Sequence, residues 1–136
     1  MSQTRTQRYA GRAMAHVRRI ADDPPQLQKE YKTRAHSFPA MVMQSGLTQA
    51  LGFLRAKSQG NLGSAYRAYA QGIADVLGAP SADALHEQSI TAELPQYRRL
   101  TREVLEVAIL IRRFAQIELH GDDQPPSEAA HEHPTA

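Results

Sequence analysis

The sequence predicts an all-α fold, in which a single bundle of six or seven helices surrounds a long C-terminal helix. Apolar residues recur at steps of three and four in successive segments of the 136-residue chain, as they do on the buried face of a helix. Glycines and prolines separate these segments at positions where helices begin or end. Sustained alternation of apolar and polar residues, which is typical of half-buried strands, does not occur.

The first helix is expected from about Thr4 to Ala21. Its apolar positions have helical spacing: Ala10, Ala13, Val17 and Ile20. Five basic side chains recur at steps of three and four along one face: Arg5, Arg8, Arg12, His16 and Arg19. Such a face is either solvated surface or a strip that follows the backbone of RNA or DNA. The spacing alone leaves both interpretations open.

Prolines divide the next segment. Pro24 and Pro25 end the first helix, because proline cannot continue one. A second helix is expected from Leu27 to His36. Pro39, which suits a first helical position, is expected to start a short third helix that stops at Gly46.

The following helix is expected from Leu47 to about Ser58, capped by Ser45 or Thr48. Gly78 closes the helix after it, because glycine readily takes the left-handed conformation that ends helices. The inward positions of that helix have helical spacing: Tyr66, Tyr69, Ala70, Ile73 and Leu77.

A short helix is expected next, over residues 82–88. Ser81 precedes it as a candidate N-cap, where a hydroxyl accepts an N–H of the first turn. Asp83 lies in that first turn, where the helix dipole favours a negative charge.

The longest helix is expected from Pro95 to Leu119, a stretch in which no glycine or further proline follows Pro95. From Val104 to Ile111 only Glu106 is polar. A helix that is apolar on nearly every side is a buried one, so this segment is expected to be the axis of the bundle. Arginines flank the apolar middle: Arg98, Arg99 and Arg102 before it, and Arg112 and Arg113 after it.

Charge divides the chain into two parts. Residues 1–119 are expected to form one helical domain, and residues 120–136, which are rich in proline, acidic residues and histidine, an unpacked tail. All 16 Lys and Arg lie in the first part with 10 of the 14 acidic residues, so its net charge is +6 and that of the tail −4. Thirteen of the 16 basic residues are arginine, whose planar guanidinium pairs with phosphate and stacks on bases. A basic body indicates an anionic partner.

Composition excludes several kinds of site. The chain has no cysteine, which excludes disulfides and thiolate metal sites and suits a location in the cytoplasm. No apolar run reaches the ~18 residues of a membrane span, and no apolar signal segment is present at the N-terminus. Nucleophile elbows, P-loops and helical histidine pairs are also absent. We therefore expect no catalytic residues, no cofactor and no metal; His131 and His133 could at most chelate weakly, in the predicted tail.

Two other functions are compatible with these patterns. A DNA-binding regulator would place a helix-turn-helix at residues 41–57, although the middle of its second helix, Ala50 to Leu54, is apolar. Gly60 and Gly63 match the GxxG loop of KH domains, but that fold needs strands. The other alternative is a homo-oligomeric helical scaffold without a nucleic-acid role.

Two segments together resemble a known family. Residues 37–60 contain four short motifs in order: Phe38-Pro39, Met41-Val42, Ser45-Gly46-Leu47 and Leu51-x-Phe53-Leu54-x-x-Lys57. The closing helix adds Tyr97-Arg98, Leu100-Thr101, Leu105 and Arg112-Arg113-Phe114-Ala115. This ordered set resembles the small α-helical subunit of type III-B CRISPR effector complexes, the Cmr complex, over about residues 5–119. The chain departs from that family at Ile109-Leu110-Ile111, where such chains often carry Trp.

The resemblance implies a non-catalytic building block of an antiviral ribonucleoprotein. In that family, copies of the small subunit form a minor filament beside the backbone subunits that hold the guide RNA, and together they make the groove for target RNA. The implied partners are the backbone and large subunits of the complex, further copies of this chain, guide RNA and target RNA. No membrane is involved.

Seven residues are candidate RNA contacts. Motif position favours Lys57, Arg98, Arg112 and Arg113, and helical spacing favours Arg8, Arg12 and Arg19. A guanidinium can pair with a phosphate or with a carboxylate equally well. The sequence therefore leaves RNA and a neighbouring subunit open as the partner of each residue.

Overall fold

A computed structural model of the protein describes residues 2–119. Most of this part of the chain forms six α-helices: α1 (Arg5–Ile20), α2 (Pro25–Ser45), α3 (Leu47–Ser58), α4 (Ser64–Leu77), α5 (Ala82–Thr91) and α6 (Leu94–Glu118). No strand occurs among the described residues, and the predicted all-α class is confirmed. The predicted tail, residues 120–136, lies outside them. Of these six helices, none is long and apolar enough to cross a bilayer.

Local signals place most helix ends where the sequence predicts them. Thr4 and Gln7 cap α1 reciprocally, since each side chain accepts the backbone N–H of the other at 3.0 and 2.8 Å. Ser81 caps α5 by accepting the N–H of Ala84 at 3.0 Å. Gly78 ends α4 with a φ of +89°, a left-handed conformation that glycine adopts without steric cost.

Pro39 does not divide α2, and the prediction of two helices there is wrong. The helix continues from Pro25 to Ser45 with Pro39 inside it, although an internal proline lacks the N–H of the helix ladder and typically costs about 3 kcal/mol. Side chains at helical spacing on both sides of Pro39 are at most 2% exposed: Tyr31, Ala35, Phe38 and Val42. Burial of this continuous stripe in the core outweighs the local preference of proline.

The start of α3 is capped by a side chain from α6 rather than by Ser45 or Thr48. The hydroxyl of Tyr97 accepts the backbone N–H of Thr48 at 3.2 Å. Partial burial raises the pKa of Tyr97, but hydrogen bonds from Thr48 and from the backbone of Leu47 outweigh burial and leave that pKa below its usual value. Thr48 instead donates its hydroxyl to the carbonyl of Ser89 at 3.2 Å. Gly46 makes the turn before α3 with a φ of +86°.

The central helix of the bundle is α4. It packs against all five other helices, whereas α6 packs mainly against α1, α2 and α4. Small residues suit α4 to this position, because the distance between packed helices depends on the side chains at their contact. Its small buried residues are Ala65, Ala70, Gly72 and Ala74.

The middle of α6 is buried on one side only, so the expectation that other helices surround it is wrong. Its buried residues form a single stripe: Leu100, Val104, Val107, Ala108, Ile111 and Ala115. Ile109 keeps 38% of its surface exposed, and Glu106 binds Arg5 of α1. Because α4 holds the centre, the outer face of α6 is only partly covered by the other helices: Ile109 is exposed, and Leu105 and Leu110 are partly buried against the core.

Candidate nucleic-acid interface

Helices α1 and α6 lie side by side and run in the same direction. Arg5, in the first turn of α1, pairs with Glu106 at 2.8 Å, and Arg18, in its last turn, pairs with Glu118 at 3.5 Å. Thr6 also donates its hydroxyl to Glu106 at 2.9 Å. The two ion pairs therefore tie α1 at both of its ends to the second half of α6.

Internal partners occupy much of the basic face predicted on α1. The guanidinium of Arg5 binds Glu106 and lies 3.7 Å from Glu103. Arg12 donates to the carbonyl of Val76 at 3.2 Å, in the last turn of α4, where a positive charge also interacts favourably with the helix dipole. These two arginines hold α1 against its neighbours, and the role of Arg12 as an RNA contact stays a prediction.

His16 is not on the surface, which corrects its place on the predicted basic face. Its side chain is buried between α1 and α4, where the ring contacts Gly72 so closely that a Cβ there would overlap it. Burial, with Arg19 adding to it and Asp75 partly opposing, lowers the pKa of His16. Its Nε2 has no hydrogen-bond partner among the described residues. His16 is therefore a neutral core residue rather than a donor for phosphate.

Arg8 and Arg19 remain exposed on α1. Arg8 donates to the backbone carbonyl of Gln3 at 2.9 Å, a contact at the surface that leaves its other nitrogens available. Within residues 2–119, Arg19 has neither a hydrogen-bond partner nor an ion pair. Of the three α1 residues that spacing favours, Arg19 is thus the least engaged.

The arginines of α6 form two groups, one near each end of the helix. The Arg98 group consists of Arg98, Arg99 and Arg102, which are all exposed, and the Arg113 group of exposed Arg113 and half-buried Arg112. None of the five forms an ion pair with a described residue. The acidic residues of α6 are already engaged by α1, because Glu103 and Glu106 bind Arg5 and Glu118 binds Arg18.

An apolar surface separates the two groups. Ile109 is exposed and Leu105 and Leu110 are half-buried on this part of α6. At 1.5 Å per residue, Arg98 and Arg113 lie about 22 Å apart along the helix. The sequence predicted Arg98, Arg112 and Arg113 from the motif, whereas Arg99 and Arg102 are additional exposed cations that it left out.

Lys57 lies apart from these residues, near the C-terminal end of α3. Its ammonium is 5.7 Å from the centre of the Phe53 ring, within the range of a cation–π contact. It borders a groove of about 620 Å³ between α2 and the α3–α4 loop, which also contains Arg34, Leu62 and Tyr66. Arg34 stacks on Tyr66 at 4.8 Å and donates to its hydroxyl at 2.7 Å. The spacing patterns did not single out Arg34, because its partner is on another helix.

Tyr66, Tyr69 and Tyr97 have rings that could stack on bases, but the fold leaves them only partly available. Tyr69 is fully buried, where desolvation raises its pKa well above the usual value, and it meets Phe38 and Tyr31 edge-on at 5.4 and 5.6 Å. Tyr66 and Tyr97 are half-buried and hold neighbouring helices. All three therefore act mainly as structural residues.

The geometry does not support the helix-turn-helix or KH interpretations. A recognition helix presents its first turn to DNA, but Leu47 is fully buried and Thr48 is bonded to Ser89 and Tyr97. Gly63 allows a close backbone approach, since a Cβ there would lie 2.6 Å from the carbonyl of Lys57. The glycines of the GxxG segment therefore form a turn between helices rather than a KH loop.

The described residues do not form a cluster suited to metal binding. No group of three or more His, Asp or Glu within residues 2–119 lies close enough to hold a metal ion. A set of charged residues joins α3 to α5: Arg55 lies 3.3 Å from both Asp83 and Glu87 and 3.4 Å from His86. In that set the arginine is matched by two carboxylates, so it serves as a structural link between helices.

Comparison with known proteins identifies the family. A model of the CRISPR-associated protein family Cas_Cmr5 matches residues 5–118. The chain belongs to the Cmr5 family. The match includes both segments that carry the sequence resemblance and every candidate residue on α1, α3 and α6, so the family suggested by the motifs is confirmed.

Two findings from Thermus thermophilus agree with this assignment. The chain is 40% identical over 113 residues to a protein named CRISPR system Cmr subunit Cmr5, and the alignment covers 83% of this chain and 94% of the relative. It is also similar to the crystal structure of a CRISPR-associated Cmr5 family protein, with a TM-score of 0.78 and 39% identity. That similarity covers 87% of this chain and all of the other. The Cmr5 fold is therefore shared over almost the whole described part.

Proposed function

We propose that this Cmr5 family protein is a non-catalytic structural subunit of a type III-B CRISPR effector complex, in which it helps to bind guide and target RNA during antiviral defence. The main observation that supports this proposal is that the five arginines of α6 have no ion pair with a described residue. A similar protein from Thermus thermophilus is named as a subunit of the Cmr system, which supports assembly with other Cmr subunits in the cytoplasm.

The two arginine groups of α6 fit contacts with the RNA backbone. Their spacing of about 22 Å along the helix spans several phosphates of a nucleic acid. Phosphate contacts position a chain without reading its sequence, so the pairing of guide and target would provide specificity. The subunit would then contribute affinity and orientation, which requires neither a cofactor nor a catalytic residue.

The apolar surface between the groups fits a contact with protein. Ile109 is exposed in the middle of α6, and further large apolar side chains are exposed elsewhere: Met43, Leu62, Ile90, Leu94 and Ile117. Single exposed apolar residues are common on protein surfaces, whereas those that adjoin one another mark surfaces where proteins associate. We propose that neighbouring copies and backbone subunits cover such residues when the subunits form the minor filament.

Charge removal on α6 tests the RNA-binding role. Complexes reconstituted with R112Q/R113Q should bind labelled target RNA about tenfold more weakly near 0.1 M salt, and the slope of log K against log salt should fall by about one to two. The matched control is R112K/R113K, which keeps both charges and should retain most of the affinity. Unchanged affinity in R112Q/R113Q, with normal subunit stoichiometry, would contradict the RNA contact and favour the scaffold without a nucleic-acid role.

The predicted residues outside α6 can be ranked in the same assay. R19Q should weaken binding if α1 contributes to the RNA surface, because Arg19 has no internal partner among the described residues. K57Q reports on the separate groove at the end of α3. K29Q, which removes an exposed lysine that neither the motif nor the spacing singled out, is the control for a simple change in net charge and should alter affinity less than about twofold.

A further inference from the structure

An acidic segment follows the helix that carries the Arg113 group. Helix α6 ends at Glu118, with Leu119 as its C-cap, and residues 120–136 contain four carboxylates and no Lys or Arg: Asp122, Asp123, Glu128 and Glu132. The family match ends at residue 118. This segment is therefore an addition to the part of the chain that defines the family.

The end of α6 has unmatched positive charge. Arg113 is exposed and Arg112 half-buried, and neither has a carboxylate partner within residues 2–119. Arg18 approaches the same end of the helix and already pairs with Glu118 at 3.5 Å, so arginine–carboxylate pairing occurs there. A −4 segment next to unpaired arginines is the charge complementarity that favours association.

We propose that residues 120–136 bind the Arg113 group of their own chain and compete there with RNA phosphates. The competition rests on the proposed function, whereas the contact itself does not. In this arrangement the segment lowers the affinity of the protein for RNA that makes few contacts with it, because such RNA must first displace the carboxylates from the arginines. A guide–target duplex held by many subunits displaces them more readily.

The length of the segment is sufficient for its carboxylates to reach the Arg113 group. A fully extended chain spans about 3.3–3.6 Å per residue, so Asp122 and Asp123 can lie up to roughly 10–14 Å beyond Leu119. Arg113 is only about 9 Å back along the helix at 1.5 Å per residue. Short tethers of this kind raise the effective concentration to the millimolar range. Arg98 is about 31 Å away, so only the most distant carboxylates could approach it.

This difference in distance provides an internal control for the test. The full-length protein is compared with the full-length variant D122N/D123N/E128Q/E132Q, which keeps the length of the segment and removes its charge. In two-dimensional nitrogen–hydrogen NMR spectra, the side-chain Nε–H signals of Arg112 and Arg113 should shift between the two proteins. Those of Arg98 and Arg99 should stay in place, and the shifts should not depend on protein concentration.

A second measurement addresses the competition. At about 50 mM salt the neutralised variant should bind single-stranded RNA about tenfold more tightly than the native chain, and the difference should shrink as salt is raised. With R112Q/R113Q in the background, neutralising the segment should no longer matter, because the two changes act on the same contact.

The possible outcomes separate the two proposals. Unmoved Arg112 and Arg113 signals would overturn the contact, whatever the RNA data show. Shifted signals with equal RNA affinity in both proteins would overturn the competition. If the signals shift and neither protein binds RNA, alone or in the complex, the contact stands and the proposed RNA-binding function fails.

Discussion

Helices α1 and α6 each carry five arginines, but their surroundings differ. On α1, Arg5 and Arg18 are paired with carboxylates of α6, and Arg12 binds the end of α4. On α6, none of the five has an ion pair with a described residue. Three of the five α1 arginines thus hold the bundle together, whereas none of the α6 arginines is bound to a carboxylate of the described residues. Whether an arginine is free to bind a partner depends on the residues around it in the fold, which helical spacing in the sequence does not reveal.

The largest expected effect comes from disturbing the packing of His16, the buried member of the predicted basic face of α1, against Gly72 of α4. G72A should destabilise the protein by about 2–4 kcal/mol, because the new methyl group would overlap the buried His16 ring and the packed core cannot yield without strain. Thermal or urea unfolding measures this change. G11A is the matched control: no neighbouring atom lies within 4 Å of its added Cβ, so it should be neutral or stabilise the helix by up to about 1 kcal/mol. Equal losses in both variants would contradict the packing of His16.

Acid should weaken the protein through the same histidine. Because burial lowers the pKa of His16, the unfolded chain takes up a proton near the ordinary value of about 6.5, before the folded chain does. Stability is therefore full above about pH 6.5 and falls below it, by at most about 1.4 kcal/mol per pH unit. The fall ends where folded His16 itself becomes protonated.

Two variants isolate this dependence in unfolding experiments at several pH values. H16Q should flatten the slope below about pH 6.5, even though it lowers stability overall. H36Q, which removes an exposed histidine of α2, should leave the slope unchanged. A native slope that survives in H16Q would show that another group is responsible.

The smallest expected effect distinguishes an engaged arginine from a free one. R12Q should cost about 0.5–1 kcal/mol, because the carbonyl of Val76 loses its donor and the C-terminal end of α4 loses a favourable charge. R98Q should leave unfolding unchanged, since Arg98 has no partner among the described residues. If the two variants were equally stable, the comparison between α1 and α6 would lose its basis.

Local sequence signals predicted the fold well where local forces decide it. The start of α1 near Thr4, the cap at Ser81 and the end of α4 at Gly78 depend on residues within one turn. Pro39 misled the prediction because the penalty of an internal proline is local, whereas the burial that offsets it comes from contacts with other helices. The expectation that the other helices surround α6 was wrong for a related reason, because apolar composition does not determine which helix becomes central.

The candidate interface was predictable only in part. The motif identified Arg98, Arg112 and Arg113, which are exposed or half-buried on α6. It could not show that Arg12 binds a carbonyl 64 residues away or that Arg5 binds a carboxylate 101 residues away. Partners at such separations follow from the tertiary arrangement, so the available arginines could be recognised only from the three-dimensional structure.

The hydrogen bond between Tyr97 and Thr48 affects the order in which the bundle can be completed. The two residues are 49 positions apart, and Tyr97 lies in the last of the six helices. While a ribosome is still making the first five helices, the amide at the start of α3 can be satisfied only by water. Domains generally fold as units, so this junction is completed, with the rest of the bundle, only after the sixth helix has emerged. One tyrosine hydroxyl therefore joins the last helix to a segment that was synthesised much earlier.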